Sequence, residues 1–139
     1  MRTKVLIAIA AAAICATVVV GTWIGRSAPK ASLGKYLSQE LPVSIVVEDA
    51  KSSKLQKDSE MFWRLGHSPQ DFEAIIADKF LLCDTADKNF VQKSLKDAFP
   101  AKFEIESTDV VYGRDGRFFD VFVLTKQQRT NSFVMVLTK

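Results

Sequence analysis

The longest uncharged segment of the chain, Val5–Ile24, is almost entirely apolar. A helix of this length, at about 1.5 Å per residue, crosses a hydrocarbon core about 30 Å thick. Lys4 and Arg26 flank the segment, and Trp23 lies where an interfacial aromatic residue is common. The pattern therefore predicts one transmembrane anchor over residues 1–25.

The same segment has a second interpretation as a secretory signal peptide. Signal peptides carry a shorter apolar region of about 7–15 residues and end at an A-x-A-like site. The candidate sites at Ala28 and Ala31 have Arg26 and Pro29 where a small residue is needed, which favours an uncleaved anchor. An uncleaved anchor predicts a bacterial inner-membrane protein. A short N-terminus normally stays inside, which places the domain outside the cytoplasm. Secretion after cleavage is the alternative.

Small residues recur at every fourth position of this segment. They are Ala13, Thr17, Gly21 and Gly25. Such spacing lets two membrane helices approach closely, so it is consistent with an anchor-mediated homodimer. Alanine-rich segments also produce this spacing by chance.

The polar and apolar positions that follow predict a linker and two strands. Residues 26–42 are interpreted as a juxtamembrane linker with a short helix that Pro42 ends. The β-branched segment Val43–Glu48 predicts a strand, and Glu60–Leu65 predicts a second one. The polar segment Ala50–Ser59 between them is expected to be a loop.

Helical periodicity appears in the middle of the chain. Ser68, Pro69 and Asp71 resemble a capping box, and apolar residues follow at helical spacing from Phe72 to Cys83. A second helix is predicted over Asp87–Phe99. On this prediction Cys83 continues the apolar stripe of the first helix and is a buried structural cysteine.

From Lys102 onward the apolar period changes to two. Residues 102–106 alternate, and Arg114–Arg117 predicts a hairpin turn in which Asp-Gly supplies positive φ. Arg117–Thr125 and Ser132–Thr138 follow as strands. The expected fold class is α+β: residues 43–139 form one domain in which two helices pack on one face of an antiparallel sheet. That sheet has about five strands and ends in a three-stranded meander.

Charge and cysteine content narrow the function classes. The net charge of +3 comes from residues 1–30, which hold four basic residues and no acid, so the rest of the chain is close to neutral. A nucleic-acid binder would normally present a basic face, and none is indicated. Of the two cysteines, Cys15 lies in the anchor, so Cys83 has no partner for a disulfide within the domain.

No residue cluster predicts a catalytic centre, a metal site or a cofactor. His67 is the only histidine and is expected at the surface or beside the helix cap. The acidic pairs are interpreted as solvated or capping residues; they are Glu48/Asp49, Asp84/Asp87 and Glu104/Glu106.

One acidic residue lies in an unusual context. Asp120 shares a predicted strand face with Phe118, Phe122 and Leu124, and the other face of that strand is also apolar. Such a carboxylate either needs a partner, expected among the arginines 114, 117 and 129, or marks where that face opens to water. The alternative is that these four residues form a face for a ligand or a partner protein.

The leading functional hypothesis is a membrane-tethered, non-enzymatic interaction module that binds another envelope protein. The alternative is a carrier or sensor of a small apolar ligand, which would use the Phe-rich sheet face. An enzyme ranks third, because no catalytic constellation is visible.

Overall fold

The computed structural model describes residues 30–55, 58–76 and 80–139. The predicted anchor Val5–Ile24, with its stripe of Ala13, Thr17, Gly21 and Gly25, lies outside these residues. Among the described residues, no helix is long and apolar enough to cross a membrane.

The two-residue apolar period produces strands that join into one antiparallel sheet of six described strands. They are β1 (Val46–Leu55), β2 (Asp58–Gly66), β3 (Leu81–Leu82), β4 (Val110–Arg114), β5 (Phe119–Thr125) and β6 (Asn131–Thr138). The spatial order is β1-β2-β6-β5-β4-β3. The predicted α+β class and the C-terminal meander, β4-β5-β6, are therefore confirmed.

Helical segments cover both faces of the sheet. Residues 30–37 are helical (α1), a 3₁₀ turn at Pro69–Asp71 leads into α2 (Phe72–Ile75), and α3 spans Thr85–Ala98. One buried cluster contains residues of α1 and α2, and the other contains residues of α3. The expectation that two helices pack on one face is therefore wrong.

The central position of β6 explains this arrangement. β6 pairs with β2 on one side and with β5 on the other. Its residues 132–136 are all buried, so successive side chains pointing to opposite faces are all removed from water. A strand with two apolar faces needs a covering layer on each of them.

The described residues of the predicted loop Ala50–Ser59 instead belong to two paired strands. β1 and β2 run through it in antiparallel register, for example with Lys51 opposite Phe62. The segment is polar because β1 lies at the sheet edge, where Ala50 and Lys51 are exposed. Val43, expected to begin this strand, precedes it and is 94% exposed.

The first predicted helix is much shorter than its apolar spacing suggested. Ser68 has extended N-cap geometry but makes no side-chain cap bond to the backbone; its hydroxyl donates instead to Asp71 Oδ2 at 3.0 Å. The hydroxyls of Ser44 and Ser68 hold the pKa of Asp71 below its ordinary value. α2 ends at Ile75, where the Gln39 side-chain amide donates to the carbonyl oxygens of the last turn.

The second predicted helix is confirmed as α3. The Asp84 carboxylate accepts a hydrogen bond from the Asp87 amide at 2.8 Å, so this acidic pair caps the helix as expected. On α3, the side chains of Val91 and Leu95 are buried, whereas Phe90 is 46% exposed.

The strand predicted over residues 102–106 is irregular backbone built around a buried carboxylate. Phe103 is buried, but Ile105 is 55% exposed. Asp109 Oδ2 accepts hydrogen bonds from Gln92 Nε2 and from the Glu106 amide, each at 3.0 Å. The Lys126 ammonium lies 2.9 Å from Asp109 Oδ1 in an ion pair that lacks hydrogen-bond geometry. These contacts fix α3 and the following loop to the end of β5.

We expect Lys126→Met to lower the free energy of unfolding by about 2–3 kcal/mol, because it leaves a buried carboxylate without its cation. Lys139→Met is the matched control: it breaks the more exposed pair with Asp120 and should cost less than about 1 kcal/mol. Urea denaturation followed by near-ultraviolet circular dichroism measures both. Equal losses in the two variants would show that the Asp109 carboxylate does not depend on Lys126.

Candidate functional site

β3 forms the end of the sheet opposite to β1. Leu81 pairs with Gly113 and Leu82 pairs with Tyr112, while the Cys83 amide donates to the Val111 carbonyl at 2.9 Å. Hydrogen bonding alternates along an antiparallel pair, so the N–H and C=O of Leu82 point away from β4. The backbone of Leu82 is therefore directed away from β4, at an edge of the sheet that no other described strand pairs with.

Both side chains of β3 are exposed although both are large and apolar. Leu81 is 75% exposed and Leu82 is 69% exposed. Because successive residues of a strand point to opposite faces, the two leucines flank the edge on both sides. An edge with free backbone groups and apolar side chains is a template for pairing with another chain.

A cleft of about 900 Å³ adjoins this edge. It is lined by Leu37, Ser38, Leu81, Leu82, Cys83, Asp84, Asp87, Gly113, Arg114, Asp115, Gly116 and Phe122. Gly113 allows close packing: a β-carbon there would lie 2.8 Å from Cys83 Sγ and 3.3 Å from the Phe122 ring, so one of these side chains would have to shift. The glycine in β4 thus lets the Cys83 and Phe122 side chains approach the backbone of this strand.

The charged residues of the lining are mostly acidic. Asp84, Asp87 and Asp115 are exposed carboxylates. Arg114 is the basic residue of this lining, but its guanidinium donates to the Tyr36 carbonyl and lies 4.9 Å from the centre of the Phe80 ring. Arg114 is therefore held by structural contacts, and the cleft presents net negative charge.

Cys83 lies in this cleft and not on the stripe of the first helix, contrary to the sequence prediction. It precedes α3, where the helix dipole would favour a thiolate. Burial outweighs this effect and, together with the charges of Asp87, Asp84 and Asp115, raises the pKa of the Cys83 thiol to about 11. The thiol is therefore protonated at neutral pH and is a poor nucleophile.

The four residues of the predicted ligand face do not form one open surface. Phe118 is 68% exposed, Phe122 lines the cleft, and Leu124 is fully buried in the α3 cluster. Asp120 pairs with Lys139 Nζ at 2.9 Å and accepts from the Gly116 amide at 3.2 Å. The expected arginine partner is wrong; Lys139 provides the cation because it directly follows β6, which pairs with β5.

His67 is buried beside the helical turn and is not a surface residue. Its Nδ1 lies 2.7 Å from the Ser68 carbonyl, and its Nε2 lies 2.7 Å from the Ser132 hydroxyl. Because a carbonyl can only accept, Nδ1 donates to it. The ring also stacks on Phe72, so His67 joins β2 to β6 and to the helical turn.

The remaining acidic pairs have structural surroundings. Glu48 forms an ion pair with Arg64 at 2.5 Å, and Asp49 accepts from the Ala50 amide at 2.9 Å. Glu106 lies 3.7 Å from Lys126 beside the buried Asp109. In the part of the chain that the structure describes, no three acidic, histidine or cysteine side chains are grouped as metal ligands.

The sequence prediction missed Leu81 and Leu82 as site residues. It assigned the segment before Cys83 to a helix, in which apolar residues are expected to be buried. The available signal was the helix-capping Asp84, only two residues after the adjacent pair Leu81–Leu82, which leaves no room for one continuous helix.

No family model matches the chain, and comparisons with curated proteins and with solved structures give no match.

We expect alkylation of Cys83 to keep accelerating by about tenfold per pH unit between about pH 8 and pH 10, because the thiol pKa lies near 11. Cys15→Ala isolates the reaction at Cys83. Asp87→Asn should speed the reaction by removing a nearby negative charge, whereas Asp97→Asn, on the same helix but outside the cleft, should not. A rate that levels off near the ordinary thiol pKa of about 8.5 would contradict this assignment.

Proposed function

We propose that the protein is a membrane-tethered, non-enzymatic module that binds another envelope protein through the β3 edge and the adjoining cleft. The observation that carries the proposal is the exposure of Leu81 and Leu82 on β3, the end strand of the described sheet. Exposed apolar side chains beside free backbone groups favour association with a second chain.

The membrane anchor is inferred from the sequence. Val5–Ile24 is long enough to span a bilayer and is flanked by Lys4 and Arg26. Few residues separate it from α1, so a domain anchored in this way stays close to the membrane surface.

The chemistry of the buried polar residues supports a non-enzymatic role. Both ring nitrogens of His67 are hydrogen-bonded, Nδ1 to the Ser68 carbonyl and Nε2 to the Ser132 hydroxyl. The raised pKa of Cys83 keeps its thiol protonated. The apolar-ligand alternative would use an open Phe-rich face, and the full burial of Leu124 on that face favours the interaction role over it.

The proposal predicts site-specific crosslinking in native membranes. A photoreactive phenylalanine in place of Leu82 should give one discrete adduct with an envelope protein, because the partner contacts this position. The same group in place of Ile105, which is exposed but lies outside the cleft lining, is the matched control and should give none.

Adducts from position 105 but not from position 82 would contradict binding at the β3 edge. Absence of any adduct from either position would contradict the interaction role itself. Mass spectrometry of the crosslinked species identifies the partner.

A further inference from the structure

The two edges of the sheet differ in their suitability for pairing. The register of β1 shifts between Val47 and Asp49, and charged residues such as Glu48 and Lys51 are exposed along it. Bulges and charged side chains obstruct the addition of a strand. β3 has neither feature, since its two residues are leucines in regular register with β4.

The backbone of β3 can accept one extended segment. The N–H and C=O of Leu82 point outward, as the bond from the Cys83 amide to Val111 requires. β3 itself is only two residues long, so backbone pairing alone gives a short ladder. Further contacts with Leu81, Leu82 and the cleft must therefore contribute to affinity and specificity.

Charge distinguishes between the occupants that this edge could take. A second copy of the chain would bring its own Asp84, Asp87 and Asp115 to the same place. Like charges brought together in this way oppose self-pairing. A segment with lysine or arginine side chains instead complements the three carboxylates, because Arg114 is already held by Tyr36 and Phe80.

We propose that the β3 edge binds an extended segment of a partner protein in which apolar residues alternate with lysine or arginine. The segment adds as a seventh strand to the described sheet, pairs with the backbone of Leu82, and places a basic side chain among Asp84, Asp87 and Asp115. This inference rests on the proposed interaction role and specifies the chemistry of the partner.

Two synthetic peptides test the partner chemistry on the full chain in a zwitterionic detergent. One is an octapeptide of alternating valine and lysine, and the other replaces lysine by glutamate. Fluorescence anisotropy should show the lysine peptide binding at least about tenfold more tightly, with an affinity that falls as salt is added. Equal binding of the two peptides would overturn the inference.

Variants of Leu82 test backbone pairing. Leu82→Pro removes the outward N–H but none of the bonds to β4, and proline is tolerated at such edge positions. Leu82→Ala is the matched control, because it removes most of the side chain and keeps the N–H. Leu82→Pro should weaken binding by about tenfold relative to Leu82→Ala. Equal affinities would overturn strand addition.

A second pair of variants does not alter β3. Asp115→Lys should weaken binding of the lysine peptide severalfold, whereas Asp97→Lys makes the same charge change outside the cleft and should leave it unchanged. Equal effects would overturn the assignment of the basic side chain to the cleft. If these tests fail while residue 82 still crosslinks to an envelope protein, the partner chemistry is wrong and the proposed function stands.

Discussion

The structure depends on the burial of β6 on both of its faces. Residues 132–136 all lie in the core, and β6 has β2 on one side and β5 on the other. A strand with no wet face requires cover above and below the sheet. α1 and α2 provide one layer and α3 provides the other, so the helices that looked equivalent in sequence are separated by the sheet.

The central position of β6 also determines where the sheet is open. β6 lies between β2 and β5, and β1 and β3 are the two end strands of the described sheet. β1 has a register shift and exposed charges, whereas β3 exposes Leu81 and Leu82 beside an acidic cleft. The buried ion pair of Asp109 and Lys126 fixes the loop that follows α3. The first turn of α3 lines that cleft.

Local sequence patterns predicted the elements that have a clear apolar periodicity or a clear apolar run, such as α3, β5 and β6. They failed where distant contacts decide the outcome. α2 ends early, at the carbonyls bound by Gln39. The apolar run Phe133–Leu137 already indicated burial on both faces, but no local signal shows that β3 ends the sheet. Leu81 and Leu82 therefore resemble core residues until the strand order is known.

Native-state amide hydrogen exchange of the full chain tests the central claim. This claim is that β6 is buried at the centre of the sheet and that the outward backbone of β3 is unpaired. The account predicts the slowest exchange at Val134 and Val136, and faster exchange at Leu82 than at Cys83, whose amide is bonded to Val111. Protection of the Leu82 amide equal to that of Val134 would contradict it, since it would mean that the β3 edge is already covered.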